Sequence, residues 1–286
     1  MRKSINTIKK MRAEGKKITA LTAYDYSTAR ILDEAGLDII LVGDSLAMVA
    51  LGHKTTHPVT VEEMLHHTKA VARGAEKALI VADMPFMSYQ HDLKDALVNA
   101  GRFIKEGGAQ AVKIEGGSEY IISVVKRCTE AGIPVMAHLG FTPQALYTIG
   151  GYNVQGKTTA LINTLMEQAI ELQNAGAFCL VLEMVPEESA RLITEKLNIP
   201  TLGIGGGRYC SGQILVTDDI IGKYGDFTPK FARKYADIAS VMKEAVLNYK
   251  TDVQEGRFPD EAEVFHLEGE DKKFMELKKK FDQWHV

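Results

Sequence analysis

Eight short apolar runs recur along the chain, each followed by polar or glycine-rich sequence and then by a helical pattern. They are KITALTAY (17–24), DIILVG (38–43), ALIVA (78–82), AVKI (111–114), IPVMA (133–137), FCLVL (178–182), IPTLGI (199–204) and a weaker QILV (213–216). Runs of this length without a polar face predict parallel strands buried on both sides. Between them, Thr60 and Glu63 fit a capping box that opens an amphipathic helix running to Arg73. Pro186 stands where a first-turn proline would, ahead of EESARLITEKL. Gly36, Gly108, Gly132 and Gly176 each fall where a helix would close in the left-handed conformation, and a strand follows shortly. Strand, helix, glycine, strand, repeated about eight times, predicts an α/β protein of the (β/α)8 TIM-barrel type. A doubly wound open sheet fits less well, because no glycine-rich turn follows the first strand.

The ends of these strands change the picture from fold to chemistry. The second run leads into Gly43-Asp44-Ser45 and the third into Asp83-Met84-Pro85. The fourth contains Lys113 and leads into Glu115, the fifth into His138, and the sixth into Glu183. One acid after an apolar run is an ordinary turn former, and Asp44 alone carries that reading. Four acids with a lysine and a histidine on one rim of a barrel point to an active site, because that rim carries catalysis in barrels. Asp44, Asp83 and Glu115 form an oxygen-rich set without cysteine, which suits Mg2+; an ion-pair network with Lys113 is the alternative. Such an ion with open positions chelates an α-keto acid and stabilises an enolate beside the ketone. Lys113 is then placed to neutralise the substrate carboxylate or enolate oxygen, Glu183 to act as a desolvated base, and His138 to donate to a substrate oxygen.

Composition narrows the class further. The 286 residues carry a net charge of −3 and no basic block, so no nucleic-acid partner is expected. No run of 18 apolar residues occurs, and MRKSINTIKKMRAEGKK at the start lacks the apolar centre of a signal peptide. Cys128, Cys179 and Cys210 show no C-x-x-C spacing and read as reduced core thiols of a cytoplasmic protein. One domain is expected over 1–286, with a lead-in at about 1–16 and an amphipathic helical tail at about 262–286. His66 and His67 lie on one expected helix but on different faces, so they are not a metal pair.

Many collinear motifs carry a family resemblance: TAYDYSTARI, LVGDSLAMV, PVTVEEM, VADMPFMSYQ, AVKIEGG, HLGFTPQ, GGYNVQGK, LVLEMVP, IPTLGIGGG and GQILV. From about residue 18 to about 259 the chain resembles the ketopantoate hydroxymethyltransferase family. The resemblance implies a barrel of the phosphoenolpyruvate/pyruvate superfamily. It further implies transfer of a hydroxymethyl group from 5,10-methylenetetrahydrofolate to 3-methyl-2-oxobutanoate, giving 2-dehydropantoate in pantothenate biosynthesis. By motif it implies Asp44, Asp83 and Glu115 at a Mg2+ site, and Asp44, Ser45, Asp83 and Lys113 as keto-acid contacts. Glu183 becomes the proton acceptor with His138 nearby, and a homodecamer is expected. The sequence departs from the usual family pattern at Ala47, His57, Gly206 and Ser211, and after Pro259. Another metal-dependent lyase, decarboxylase or mutase of the superfamily, or a non-catalytic paralogue, stays open as an alternative. The lyases and mutases generally carry a lysine-cysteine-glycine loop that is not found here.

One motif points elsewhere. GGYNVQGKT (150–158) matches the phosphate-binding pattern G-x-x-x-x-G-K-[ST], which has meaning only when a strand feeds it directly and a helix leaves it. Here it sits in the long connection after the fifth strand, and it is expected to be part of a loop closing over the site.

Overall fold

In the computed structural model, residues 2–224 and 229–282 are described. Eight strands close a parallel barrel in sequence order: β1 Ile18–Thr22, β2 Ile39–Val42, β3 Leu79–Asp83, β4 Ala111–Glu115, β5 Val135–Gly140, β6 Cys179–Glu183, β7 Thr201–Ile204 and β8 Gly212–Leu215. Each overlaps one of the eight apolar runs. Strands β3, β4 and β6 run one residue further than the apolar pattern, so Asp83, Glu115 and Glu183 are their last residues rather than loop residues.

Period-two alternation then fixes what the barrel holds. Leu79 and Val81 of β3, Ala111 of β4, Met136 of β5, and Cys179 and Val181 of β6 fill the interior with Ile18, Ile39, Leu41, Leu202 and Ile214. Two residues further along the same faces come Asp83, Lys113, His138 and Glu183, with Glu115 beyond Lys113. The interior is therefore apolar in its lower layers and charged at the strand C-termini. Its lower mouth is closed by the helix Ile5–Ala13, whose fully buried Ile8 joins the interior cluster. That helix is the expected lead-in, and its plugging role was not evident from the sequence.

The outer layer is less regular than eight repeats. Helices Tyr26–Glu34, Val61–Gly74, Leu93–Lys105, Glu119–Glu130, Thr159–Asn174 and Glu187–Lys196 follow β1 to β6. The Thr60–Glu63 capping box is present at the second of these, and Pro186 stands one position earlier than expected, as an N-cap. Gly36, Gly108, Gly132 and Gly176 all have positive φ, as their place after helices requires. Between β7 and β8 there is no helix. Seven residues, 205–211, connect the two parallel strands, too few for a helical crossover of a dozen or more. The chain turns there on Gly205 and Gly207, both with positive φ, and a Cβ on Gly206 would sit 2.9 Å from the Leu182 carbonyl oxygen. Without that helix, Thr19 and Gln213 stay exposed on the outside of the barrel, beside a groove of about 790 Å3 that Arg208, Phe231 and Arg233 also line.

The chain divides into two units, Met1–Ala236 and Asp237–Val286, earlier than the tail expected from about 262. The second unit contains helices Ile238–Gln254 and Asp271–Phe281, with the Tyr249 ring edge-on to Phe258 at 5.6 Å. Trp284, part of the expected terminal helix, lies outside the described residues.

Candidate active site

Strand register brings the expected residues together. Asp83 pairs with Lys113 across β3 and β4, Glu115 with His138 across β4 and β5, and Gly140 with Glu183 across β5 and β6. Facing inward, these side chains form one continuous chain of polar contacts. Lys113 Nζ lies 2.9 Å from Asp83 Oδ1 and 3.0 Å from Glu115 Oε1. His138 Nδ1 is 3.3 Å from Glu115 Oε1, and its Nε2 is 3.2 Å from Glu183 Oε2. At the other end, the Asp44 amide donates to Asp83 Oδ2 at 2.9 Å. Ser45 is half-buried, with its hydroxyl 2.8 Å from that of Tyr24. Glycine is needed at position 140: its φ is +94° and an added Cβ would meet the Glu183 carbonyl oxygen at 2.2 Å.

Burial sets the electrostatics. Asp44, Asp83, Lys113, Glu115 and His138 are at most 5% exposed, whereas the Glu183 side chain keeps 14% exposure. Glu183 is thus less desolvated than expected and is open to a small molecule. Burial, together with the charges of Asp83 and Glu115, pushes the Asp44 carboxyl well above the usual range. Burial likewise raises Asp83, opposed by Lys113 and reinforced by Glu115. Glu115 goes the other way: burial is outweighed by Lys113 and His138, which hold it below the usual range. Despite burial, Asp83, Glu115 and Asp44 raise Lys113 well above the ordinary lysine value.

Buried acids elsewhere in the barrel unit behave differently. Asp33 accepts from the amides of Glu76, Lys77 and Ala78, and Asp38 pairs with Lys3 and Thr19; in both, these partners overcome burial and hold the carboxyl low. Those two are satisfied structural carboxylates. Asp44 and Asp83 stay raised instead, with Asp83 Oδ1 facing Lys113 Nζ at 2.9 Å and Asp44 Oδ2 accepting from Gln144.

The buried carboxylates of Asp44 and Asp83 are hard oxygen donors of the kind a divalent cation takes. Glu115 is already engaged through Oε1 by Lys113 and through Oε2 by the Gln144 amide at 3.2 Å. Among the described residues no group of three or more His, Cys, Asp or Glu side chains is arranged to hold a metal. Asp83 is engaged in the same way, by Lys113 and by the Asp44 amide, so Glu115 and Asp83 stand alike toward an ion.

His138 is raised to about 9, because Glu115 and Glu183 outweigh burial and the charge of Lys113. A group whose folded value is raised stabilises the fold fully below its unfolded value and stops doing so as pH rises through the folded one. In metal-free protein, about 3 kcal/mol of stability is expected to fade between roughly pH 6.5 and 9. Thermal melts at pH 6 and pH 9.5 measure it, and His138→Gln is expected to flatten the slope; an equal slope in both proteins would remove this assignment.

Two residues of the site, Tyr89 of VADMPFMSYQ and Gln144 of HLGFTPQ, were not among the expected site residues. Gln144, buried in a short 3-10 turn (Pro143–Ala145), donates through Nε2 to Asp44 Oδ2 and to the Met84 carbonyl, each at 2.9 Å. Tyr89 donates to Gln144 Oε1 at 2.8 Å and accepts from the Glu115 amide at 3.1 Å. Both are neutral residues far from their partners in sequence, so only the fold shows what they hold.

The stretch GGYNVQGKT is no phosphate cradle. Strand β5 ends at Gly140, and a 3-10 turn and the short helix Leu146–Ile149 intervene before the stretch begins. Thr158 is the N-cap of the next helix, its hydroxyl accepting from the Leu161 amide, and Lys157 is exposed. The loop is tied beside β6 instead: the Gln155 amide donates to the Met184 carbonyl at 2.9 Å, and Ser189 donates to the Gly156 carbonyl at 3.0 Å.

Solved structures share the closed parallel barrel. The chain superposes on a phosphonopyruvate hydrolase, solved as its complex with oxalate and Mg2+, with a TM-score of 0.60 at 12% identity, covering 99% of this chain and 98% of that one. A 2,3-dimethylmalate lyase, described as a member of the PEP mutase/isocitrate lyase superfamily, gives 0.54 at 12% identity, covering 100% and 99%. At such identities the likeness is one of fold. Sequence settles the family. The ketopantoate hydroxymethyltransferase model matches residues 2–261, and the chain is 52% identical over 266 residues to the 3-methyl-2-oxobutanoate hydroxymethyltransferase of Carboxydothermus hydrogenoformans, covering 93% of this chain and 96% of that one. The chain belongs to the ketopantoate hydroxymethyltransferase family. No helix among the described residues is long and apolar enough to cross a membrane.

Proposed function

We propose that the site deprotonates 3-methyl-2-oxobutanoate at C3 and joins that carbon to the one-carbon unit of 5,10-methylenetetrahydrofolate, with water supplying the hydroxyl oxygen and tetrahydrofolate leaving, giving 2-dehydropantoate. The observation that carries this reading is the opposition of two unlike ends in one inward layer. A partly accessible carboxylate, Glu183, lies beside His138 at one end, and a buried carboxylate pair, Asp44 and Asp83, stands at the other with Lys113 between. A Mg2+ ion held by Asp44 and Asp83 would supply Lewis acidity toward the keto and carboxylate oxygens.

This chain's own residues do the rest. Lys113 offers positive charge to the oxygens on which negative charge develops, and Ser45 offers its hydroxyl. Glu183 Oε2 takes the C3 proton, and His138 Nε2, 3.2 Å away, steadies that carboxylate before transfer. Glu115 holds His138 from its other nitrogen. The 150–158 loop, tied to the Met184 carbonyl, forms a wall beside Glu183 that limits water. We place the enzyme in the cytoplasm as a homo-oligomer, in line with the resemblance to a decameric family.

The test is a pair of measurements on the wild-type chain. NMR should show loss of the C3 proton signal of 3-methyl-2-oxobutanoate in D2O with Mg2+ and without folate, and 2-dehydropantoate should appear when methylenetetrahydrofolate is added. Turnover of oxaloacetate or an isocitrate-type acid, with no C3 exchange, would favour the lyase reading and end this one.

A further inference from the structure

We infer that Gln144 is a positioning residue that fixes which oxygen of Asp44 is presented to a divalent cation. The inference rests on the proposed cation at Asp44 and Asp83.

The Gln144 amide has a single satisfied orientation. Both partners of its Nε2, Asp44 Oδ2 and the Met84 carbonyl, only accept. Both partners of its Oε1 donate: Tyr89 Oη at 2.8 Å and Gln90 Nε2 at 2.7 Å. Flipping the amide would set Oε1 against a carboxylate and a carbonyl, and the NH2 group against that of Gln90. With the residue only 5% exposed, no water relieves those clashes.

The backbone of Gln144 is held as firmly. Its amide donates to Glu115 Oε2 at 3.2 Å, and its carbonyl lies 3.0 Å from His57 Nε2. The His57 ring stacks on Tyr147 at 4.9 Å and meets Phe86 edge-on at 4.7 Å. Connections after β2, β3 and β5 therefore converge on this one residue, and His57, a departure from the usual family residue, is part of the clamp.

The consequence is chemical. Gln144 occupies Asp44 Oδ2, and the Asp44 amide occupies Asp83 Oδ2. That leaves Oδ1 of Asp44, while Asp83 Oδ1 faces Lys113 Nζ at 2.9 Å. Gln144 thus sets which oxygen of Asp44 is turned to the ion and keeps Asp44 from pairing elsewhere.

Mn2+ titration followed by electron paramagnetic resonance, with no substrate present, tests this. Gln144→Met keeps the volume and removes both donors, and is expected to weaken Mn2+ about 10- to 100-fold, the usual effect of losing a partner behind a ligand. Tyr89→Phe, which removes one orienting donor, is expected to weaken it roughly 2- to 10-fold and keeps the question answerable if the first variant folds poorly. Melting temperature without metal separates the roles: a merely structural Gln144 would lower it and leave Mn2+ affinity unchanged. Unchanged affinity in both variants, beside lost binding in Asp83→Asn, overturns the role of Gln144 alone. No Mn2+ binding by the wild type overturns the cation reading, and this inference with it.

Discussion

Glu183→Gln is expected to slow exchange of the C3 proton of 3-methyl-2-oxobutanoate by about 10²- to 10⁴-fold, the contribution of a well-placed general base. That range corresponds to about 3–5 kcal/mol of activation free energy. The substitution keeps the shape of the side chain and its place beside His138, and removes only the ability to accept a proton from carbon. The proposed metal and substrate contacts, Asp44, Asp83 and Lys113, lie at the other end of the polar chain, and both affinities are expected to stay within about threefold of wild type, since the uniform part of binding is untouched. The effect should therefore fall on kcat with little change in KM. Isotope exchange by NMR reads the step directly, without the folate half of the reaction. An exchange rate within about threefold of wild type would move the base elsewhere; Glu115 is a poor substitute, because Lys113 and Gln144 already occupy its oxygens.

That Glu183 could be singled out from the sequence follows from how a parallel barrel is built. Its strands are buried on both faces, so they read as unbroken apolar runs, and the first polar residue after each run marks a strand end. The sequence therefore told where Asp83, Glu115, His138 and Glu183 stand along their strands. It did not tell how neighbouring strands are staggered. The contacts that define the site depend on that stagger: Asp83 opposite Lys113, Glu115 opposite His138, and Glu183 two residues beyond the partner of His138. Register between parallel strands is set by packing over the whole barrel and leaves no local mark.

The same reasoning explains the misses. Gln144 and Tyr89 were passed over because they are neutral, and Gln144 reaches Asp44 across 100 residues of sequence. The missing helix between β7 and β8 was overlooked because the repeating pattern of earlier units was extended through it; three successive glycines, 205–207, were the sign of a direct turn. The match to a phosphate loop failed for the converse reason: a short pattern was present, but the strand that gives it meaning ends ten residues earlier.

Lys113→Met is expected to give the largest loss of stability of any single change in the site. Lys113 is the one buried cation in contact with both Asp83 and Glu115, and its removal strands two carboxylates in a site that is almost fully enclosed. Breaking a buried pair in this way costs about 3–5 kcal/mol, which for a unit of this size lowers the melting temperature by roughly 10 °C. The pH dependence distinguishes this cause from poor packing of methionine. In the wild type, Glu115 is held below its ordinary value, so its stabilising contribution is present above that value and is lost as pH falls through the folded one. In the variant, Glu115 loses its main counter-charge and Asp83 is raised further by the same burial that already raises it. A carboxyl raised in the folded state costs stability only where the unfolded state is ionised, and that cost shrinks as pH falls toward the ordinary carboxylate value. The gap in melting temperature between wild type and variant is therefore expected to be widest near pH 8 and to narrow steadily toward pH 5. A gap that stays constant over this range would assign the loss to packing, and a gap of under about 2 °C at pH 8 would mean that Lys113 does not hold these acids together.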